Sequence, residues 1–91
     1  MNIADYIPYG RENAVTREQL MTLTGMPDRA VRDAIAQARR DTVILNLQDG
    51  NGYYRPTEDD KPLVERFLRQ ETKRAKTIFY RLKAAREYLK G

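Results

Sequence analysis

Arg29, Arg32 and Arg40 lie close together in the sequence, and each offers a planar guanidinium that can donate two parallel hydrogen bonds. At about 100° per residue, a helix over residues 28–40 sorts its side chains onto two opposite sides. One side carries Val31, Ala34, Ile35 and Ala38, and the other carries Arg29, Asp33, Ala36 and Arg40, with Arg32 and Gln37 beside them. The major groove of DNA admits one such helix, and arginine pairs with guanine there. A core helix with an ordinary solvated face would give the same pattern.

A second short helix is predicted immediately before this one, over residues 16–24. Thr16 and Gln19 have the spacing of a capping box, in which each residue satisfies a free backbone N–H of the other. Leu20 and Leu23 then share one face. Gly25 follows as the residue best able to take the left-handed conformation just past a helix end. Residues 16–40 are therefore expected to form two helices joined by a tight turn.

The residue types that are missing exclude most enzymatic chemistry. The chain contains no Cys, His, Ser or Trp. This composition leaves no ligands for a zinc finger, no thiol or serine nucleophile and no histidine base. The one dense acidic group, Glu58 to Asp60, precedes an apolar helical pattern, where carboxylates favour the positive end of a helix. We therefore expect no enzyme, no catalytic residues, no metal site and no cofactor.

Length and charge indicate one small domain that suits a polyanionic partner. The chain has 91 residues and a formal net charge of +4. Such a chain buries only a modest core, so a long additional element needs a packing partner of its own. No apolar run approaches the ~18 residues that span a bilayer. The first ten residues, MNIADYIPYG, lack a basic leader, which favours a cytoplasmic protein over a secreted one.

Strand-like residues follow the two helices. Residues 42–48, TVILNLQ, are rich in β-branched and apolar side chains, and residues 53–55 resume that pattern after the glycine-containing segment 49–52. This order predicts a β-hairpin, although apolar residues occur on both faces of its first strand. Asn51 at the tip and Arg55 on the second strand are candidates to reach a minor groove or the phosphate backbone. Of Tyr53 and Tyr54, one is expected in the core and the other outside it.

Two helices followed directly by a hairpin resemble the winged helix-turn-helix domain. The resemblance covers residues 13–56 and rests on this order and on the stretch LTGMPDRAVRDAI; similar strings, GRENAVT and GYY among them, occur in small proteins of bacteriophages and prophages. It implies a mainly α fold with a small sheet in residues 1–57, to which residues 13–15 would add a strand. The function implied is sequence-selective binding of double-stranded DNA. Base contacts are expected from Arg29, Arg32, Ala36 and Arg40, and phosphate contacts from Arg17, Asn51 and Arg55.

Residues 58–91 predict a long, basic, amphipathic helix. Residues 61–90 hold ten basic and three acidic residues, and Pro62 falls in the first turn, where proline is tolerated. Apolar side chains recur in alternating steps of four and three, which is the heptad pattern of a coiled coil. The first half is expected to pack on the domain and the second half to pair two copies of the chain. The predicted dimerisation residues are Leu68, Ala75, Ile78, Leu82, Ala85 and Leu89.

Asp33 leaves an alternative open. It lies in the middle of the proposed DNA-binding face, where a phosphate would repel it, although a carboxylate also accepts a hydrogen bond from cytosine. Winged helices also serve as protein-docking modules. The sequence is therefore compatible with two functions, a DNA-binding protein of transcriptional control or phage DNA maintenance, and an inhibitor or replication-complex adaptor that binds a protein.

Overall fold

A computed structural model describes residues 2–91, and most of them are helical. The α-helices are α1 (Arg17–Thr24), α2 (Asp28–Ala38), α3 (Lys61–Arg81) and α4 (Lys83–Leu89), and short 3-10 helices lie at Ile3–Tyr6, Arg11–Asn13 and Glu58–Asp60. The molecule is elongated, with extents of 50 × 32 × 24 Å. Within residues 2–91, no helix has both the length and the hydropathy that are needed to cross a membrane.

The helix pair α1 and α2 forms as its local signals predict. Thr16 and Gln19 make both hydrogen bonds of the capping box, with distances of 3.1 and 2.8 Å. Gly25 ends α1 with a φ of 73°, and its N–H donates to the carbonyl of Met21 at 2.9 Å. The predicted apolar side of α2 faces inward, since Val31 and Ile35 are buried. The helix ends at Ala38, two residues before the predicted end.

The N-terminal segment closes the core of this helix pair. The side chain of Asn2 accepts a hydrogen bond from the N–H of Ala4 at 3.0 Å and so caps the first 3-10 helix. Ile3, Ala4 and Ile7 are buried together with residues of both helices. The sequence did not decide between a helical and an extended form here, and the structure shows a single helical turn.

The predicted winged helix-turn-helix fold, with its hairpin and small sheet, is wrong. The structure contains no sheet within residues 2–91, and only isolated bridges occur, Val15 with Tyr53, Leu45 with Tyr54 and Tyr9 with Arg55. The first two bridges are each closed by two backbone hydrogen bonds of 2.7 to 3.1 Å. The protein is therefore a mainly α fold in which residues 42–55 form a loop that is partly buried. Tyr54 is the core tyrosine, being fully buried, and Tyr53 is partly buried.

Side chains of the loop itself explain why no hairpin forms. Asn46 accepts a hydrogen bond from the backbone N–H of Gln48, and Asp49 accepts one from that of Asn51. Such local bonds compete with the hydrogen bonds of a strand ladder. Gln48 also adopts a positive φ of 62°, which no strand contains. The neighbouring Ile44, Leu45 and Leu47 are all buried and do not alternate, so the segment packs as a loop in the core.

The C-terminal helix is nearly continuous from Lys61 to Leu89. The 3-10 turn Glu58–Asp60 leads into it. The Asp60 side chain accepts a hydrogen bond from the N–H of Thr57 at 2.8 Å in the capping box of that turn, and it makes no side-chain cap to α3 itself. Helical bonding is interrupted at Leu82, whose N–H donates to the carbonyl of Phe79 instead of that of Ile78. Among the described residues, the helix meets the rest of the chain at its base. There Phe67 is partly buried, and the Gln70 side-chain amide donates to the carbonyl of Leu47 at 3.4 Å.

Candidate nucleic-acid interface

The outer side of α2 carries exposed arginines. Arg29, Asp33 and Ala36 are exposed along it, as predicted, Arg32 and Gln37 are exposed beside them, and Arg40 is exposed in the turn just past the end of the helix. Val31 and Ile35 hold the opposite side with 0% and 2% of their surface exposed. Because those two side chains are locked in the core, α2 cannot rotate without losing buried apolar area. The arginines are therefore fixed on a rigid element and point away from the core.

Two of the predicted base-contacting arginines are free. In the described part of the chain, neither Arg29 nor Arg40 has an ion-pair partner. Ala36 lies between them and leaves room for close approach of a flat surface. A free guanidinium keeps all five of its N–H donors for a ligand.

Asp28 binds Arg17 and Arg32, which were predicted to contact phosphates and bases. Its carboxylate oxygens pair with the Nε of Arg17, at the start of α1, and with the Nε of Arg32 at 3.0 Å. The nearby carboxylate raises the pKa of Arg17 above its usual value. All three side chains are partly exposed, so the pairs are in contact with solvent. Either arginine must exchange Asp28 for a phosphate or a base before it contributes fully to DNA binding.

Arg55 was predicted to contact phosphates, but its side chain packs against the N-terminal segment. Its Nε donates to the carbonyl of Ile7 at 2.8 Å, and its guanidinium lies over the ring of Tyr9, 4.2 Å from the centre. These contacts join residue 55 to the N-terminal segment. Asn51, by contrast, is exposed in the loop, as predicted for a tip residue.

The loop tip and the start of α1 line one cleft. Arg17, Asn46, Gln48, Gly50 and Gly52 are among its lining residues, and its volume is about 240 Å³. Arg17 and the predicted loop contacts are thus neighbours, whereas Arg55 belongs to another part of the surface. Asp49 shapes the loop, because it accepts from the N–H of Asn51 and pairs with Arg11. Those interactions, the Asn51 hydrogen bond first, lower the pKa of Asp49.

Arg39 is a functional candidate that the sequence argument missed. Its guanidinium lies 5.8 Å from the ring centre of Tyr53 and 5.1 Å from that of Phe67, and its Nε donates to the carbonyl of Ile44 at 3.1 Å. Burial lowers the pKa of this arginine. It therefore ties the end of α2 to the base of α3. The signal was present, since Arg39 follows the buried Val31 and Ile35 at four-residue spacing, just past the end of α2.

No family model, curated protein or solved structure matches this chain. The function is therefore inferred from the geometry of α2 and of the C-terminal helix.

The predicted dimerisation residues are exposed along the C-terminal helix, from Leu68 near its base to Leu89 at its end. Leu68, Ile78, Leu82 and Leu89 are 64%, 54%, 51% and 84% exposed. Ala75 and Ala85 are also exposed. Together they form an uncovered apolar row that starts just above the domain and runs to the end of α4.

Proposed function

We propose that this protein binds double-stranded DNA in a sequence-selective manner through the exposed side of α2. The observation that carries the proposal is the pairing of two properties in one helix. Val31 and Ile35 anchor it in the core, Arg29 stands free on its outer side, and Arg40 stands free in the turn just past its end. This arrangement gives a rigid helix whose donors need no rearrangement before they meet the acceptor groups of guanine.

Neighbouring groups support phosphate contacts at the edge of this surface. Arg17 begins α1, and the loop that carries Asn51 lines the same cleft. Contacts of this kind set the position of a protein on the duplex, while base contacts give the sequence preference. The net charge of +4 favours association with the duplex as a whole.

Two copies of the chain act together in this proposal, paired through the C-terminal helix. Large exposed apolar side chains such as Ile78 and Leu89 favour such pairing, because uncovered rows of this kind mark interaction surfaces. A two-fold dimer presents two α2 helices to the two halves of a pseudo-palindromic site. The corresponding biological role is transcriptional control or phage DNA maintenance in the bacterial cytoplasm.

The proposal is tested by titrating a fluorescent duplex with the protein at several salt concentrations. If about four phosphates are contacted, the affinity falls roughly 100-fold between 50 and 200 mM salt, because condensed counterions are released on binding. A linear decrease of log K with log salt is the expected result. Absence of binding at low salt, or an affinity that does not change with salt, contradicts the proposal.

One observation favours a second candidate, the docking of a protein on the same surface. Asp33 is exposed in the middle of the arginine-bearing side, where it repels phosphates. The variant Asp33→Ala distinguishes the two functions. For DNA binding, removal of this carboxylate strengthens or leaves unchanged the affinity for duplex. For docking of a basic protein surface, it weakens a complex that does not depend on DNA.

A further inference from the structure

The C-terminal helix carries more apolar surface than its own domain covers. Tyr88 and Leu89 are each 84% exposed, and Leu68 is 64% exposed although it lies near the base of the helix. The self-association proposed above requires a partner copy on this surface but leaves its direction open. The side chains along the helix decide between the two directions.

In a parallel pair of helices, one acidic residue would face the same acidic residue of the partner. Eight positions repeat in alternating steps of four and three along the helix: Val64, Leu68, Glu71, Ala75, Ile78, Leu82, Ala85 and Leu89. In a parallel, in-register coiled coil each of these residues faces its own copy. Glu71 would then meet Glu71 of the partner subunit in the apolar seam. Two carboxylates held together away from water repel each other, which disfavours the parallel direction.

An antiparallel pair resolves this conflict and uses all eight positions. With the crossing point between residues 76 and 77, Val64 faces the partner's Leu89 and Leu68 faces the partner's Ala85. In the same register Ala75 faces the partner's Ile78, so a small side chain meets a large one in these central layers. Glu71 faces the partner's Leu82 and no second carboxylate, and within its own chain its carboxylate is paired with Arg74 at 3.2 Å.

The flanking residues agree with this direction. Glu65 and Arg86 lie at equivalent flanking positions of the repeat, near opposite ends of the helix. In the antiparallel register Glu65 lies beside the partner's Arg86, and two-fold symmetry forms this pair of opposite charges twice. In a parallel pair these residues are about 30 Å apart along the axis. On the other flank Phe67 lies beside the partner's Tyr88, which adds an aromatic contact. The same flank places Arg74 beside the partner's Arg81, a repulsive pair that is exposed to solvent and therefore screened.

The base of the helix offers a place for the end of the partner. Val43, Ile44, Val64, Phe67 and Leu68 are among the residues that line an apolar groove of about 210 Å³. Val43 at its rim is 48% exposed. The register that pairs Val64 with the partner's Leu89 brings the partner's chain end to this groove.

We infer that two copies of this chain pair antiparallel along α3 and α4, with Tyr88 and Leu89 of each copy seated against the Val43 groove of the other. This inference rests on the proposed self-association and not on DNA binding. In the sequence, the apolar repeat continues past the interruption at Leu82 with Ala85 and Leu89.

Distances between spin labels test the direction of pairing. The chain has no native cysteine, so single cysteines at Lys76 and Glu87, both exposed, report only on the introduced label. The antiparallel pair gives a short distance of about 20 Å at residue 76, near the crossing, and a long one of roughly 30–40 Å at residue 87. Short distances at both positions show a parallel pair and overturn the inference. The absence of any intermolecular distance at tens of micromolar overturns it as well.

A charge exchange gives an independent test of the register by analytical ultracentrifugation. Glu65→Arg is expected to weaken the dimer several-fold, and Arg86→Glu in the same chain is expected to restore it. Failure of the second change to restore pairing contradicts the antiparallel contact. Neither experiment contains DNA, so the two proposals can fail separately. A monomeric protein contradicts antiparallel pairing but not DNA binding by α2. Loss of duplex affinity with unchanged label distances contradicts DNA binding but not the pairing.

Discussion

Replacing both Arg29 and Arg40 by alanine is expected to abolish the preference for a specific duplex. Each bidentate contact between arginine and guanine is worth about 1–3 kcal/mol of discrimination, so the two together account for roughly 2–6 kcal/mol if they add. Neither side chain contributes to the core, and neither has an ion-pair partner within residues 2–91. The fold is therefore expected to remain intact, which circular dichroism and thermal unfolding would verify beside the binding titration.

A matched variant separates base contacts from a general loss of charge. The double variant Lys76→Ala, Lys83→Ala also removes two positive charges, but from exposed positions of the C-terminal helix. This control is expected to weaken binding to all duplexes modestly and equally. Equal losses in both double variants would show that α2 supplies only charge.

The effect of Arg32→Ala is expected to be smaller than that of Arg29→Ala, because Arg32 must first leave Asp28.

Gly52→Ala is expected to lower the stability of the protein strongly. Gly52 has a φ of 99°, which residues with a side chain rarely adopt, and an added Cβ would lie 2.3 Å from the carbonyl oxygen of Val15. That oxygen accepts the N–H of Tyr53 at 2.7 Å. The substitution therefore forces apart the bridge that holds the loop against the start of α1. We expect a loss of about 3–5 kcal/mol in the free energy of unfolding.

Gly50→Ala is the control for this substitution. Gly50 also has a positive φ, 84°, but an added Cβ there meets no atom within 4 Å. Its cost is limited to the backbone conformation, about 1–2 kcal/mol. Urea unfolding of both variants measures the difference. Similar losses for the two glycines would contradict the close packing of the loop against Val15.

Elements defined by neighbouring residues were predictable from the sequence. The capping box of Thr16 and Gln19, the left-handed Gly25 and the buried side of α2 with Val31 and Ile35 all occur as expected. Each depends on residues within one or two helical turns, so its signal is complete in a short window of sequence. The direction of the arginine-bearing side follows from the same periodicity.

The loop was mispredicted because composition alone does not define strand pairing. β-branched residues near 42–48 favoured a strand, but the side chains of Asn46 and Asp49 take the backbone N–H groups that a ladder needs. Apolar residues on both faces of the predicted strand argued against a one-sided strand, and Ile44, Leu45 and Leu47 all enter the core. A one-sided sheet requires alternation that this segment lacks.

Contacts between distant segments were beyond the sequence argument. Asp28 of α2 pairs with Arg17 of α1, and Arg55 joins the loop to Ile7, 48 positions away. No local pattern predicts these two contacts, whereas Asp28 and Arg32 have the four-residue spacing of a helical ion pair. As a result two of the predicted DNA contacts, Arg17 and Arg32, are held by a carboxylate, and a third, Arg55, braces the N-terminal segment.

The central claim is that the outer side of α2 recognises a particular duplex sequence, and selection from a pool of random duplexes tests it most directly. The intact protein is expected to enrich a defined motif, with guanines at the positions contacted by arginine. The Arg29→Ala, Arg40→Ala double variant is expected to recover sequences without that motif. Recovery of unenriched sequences by the intact protein, or of the same motif by the double variant, would contradict the claim.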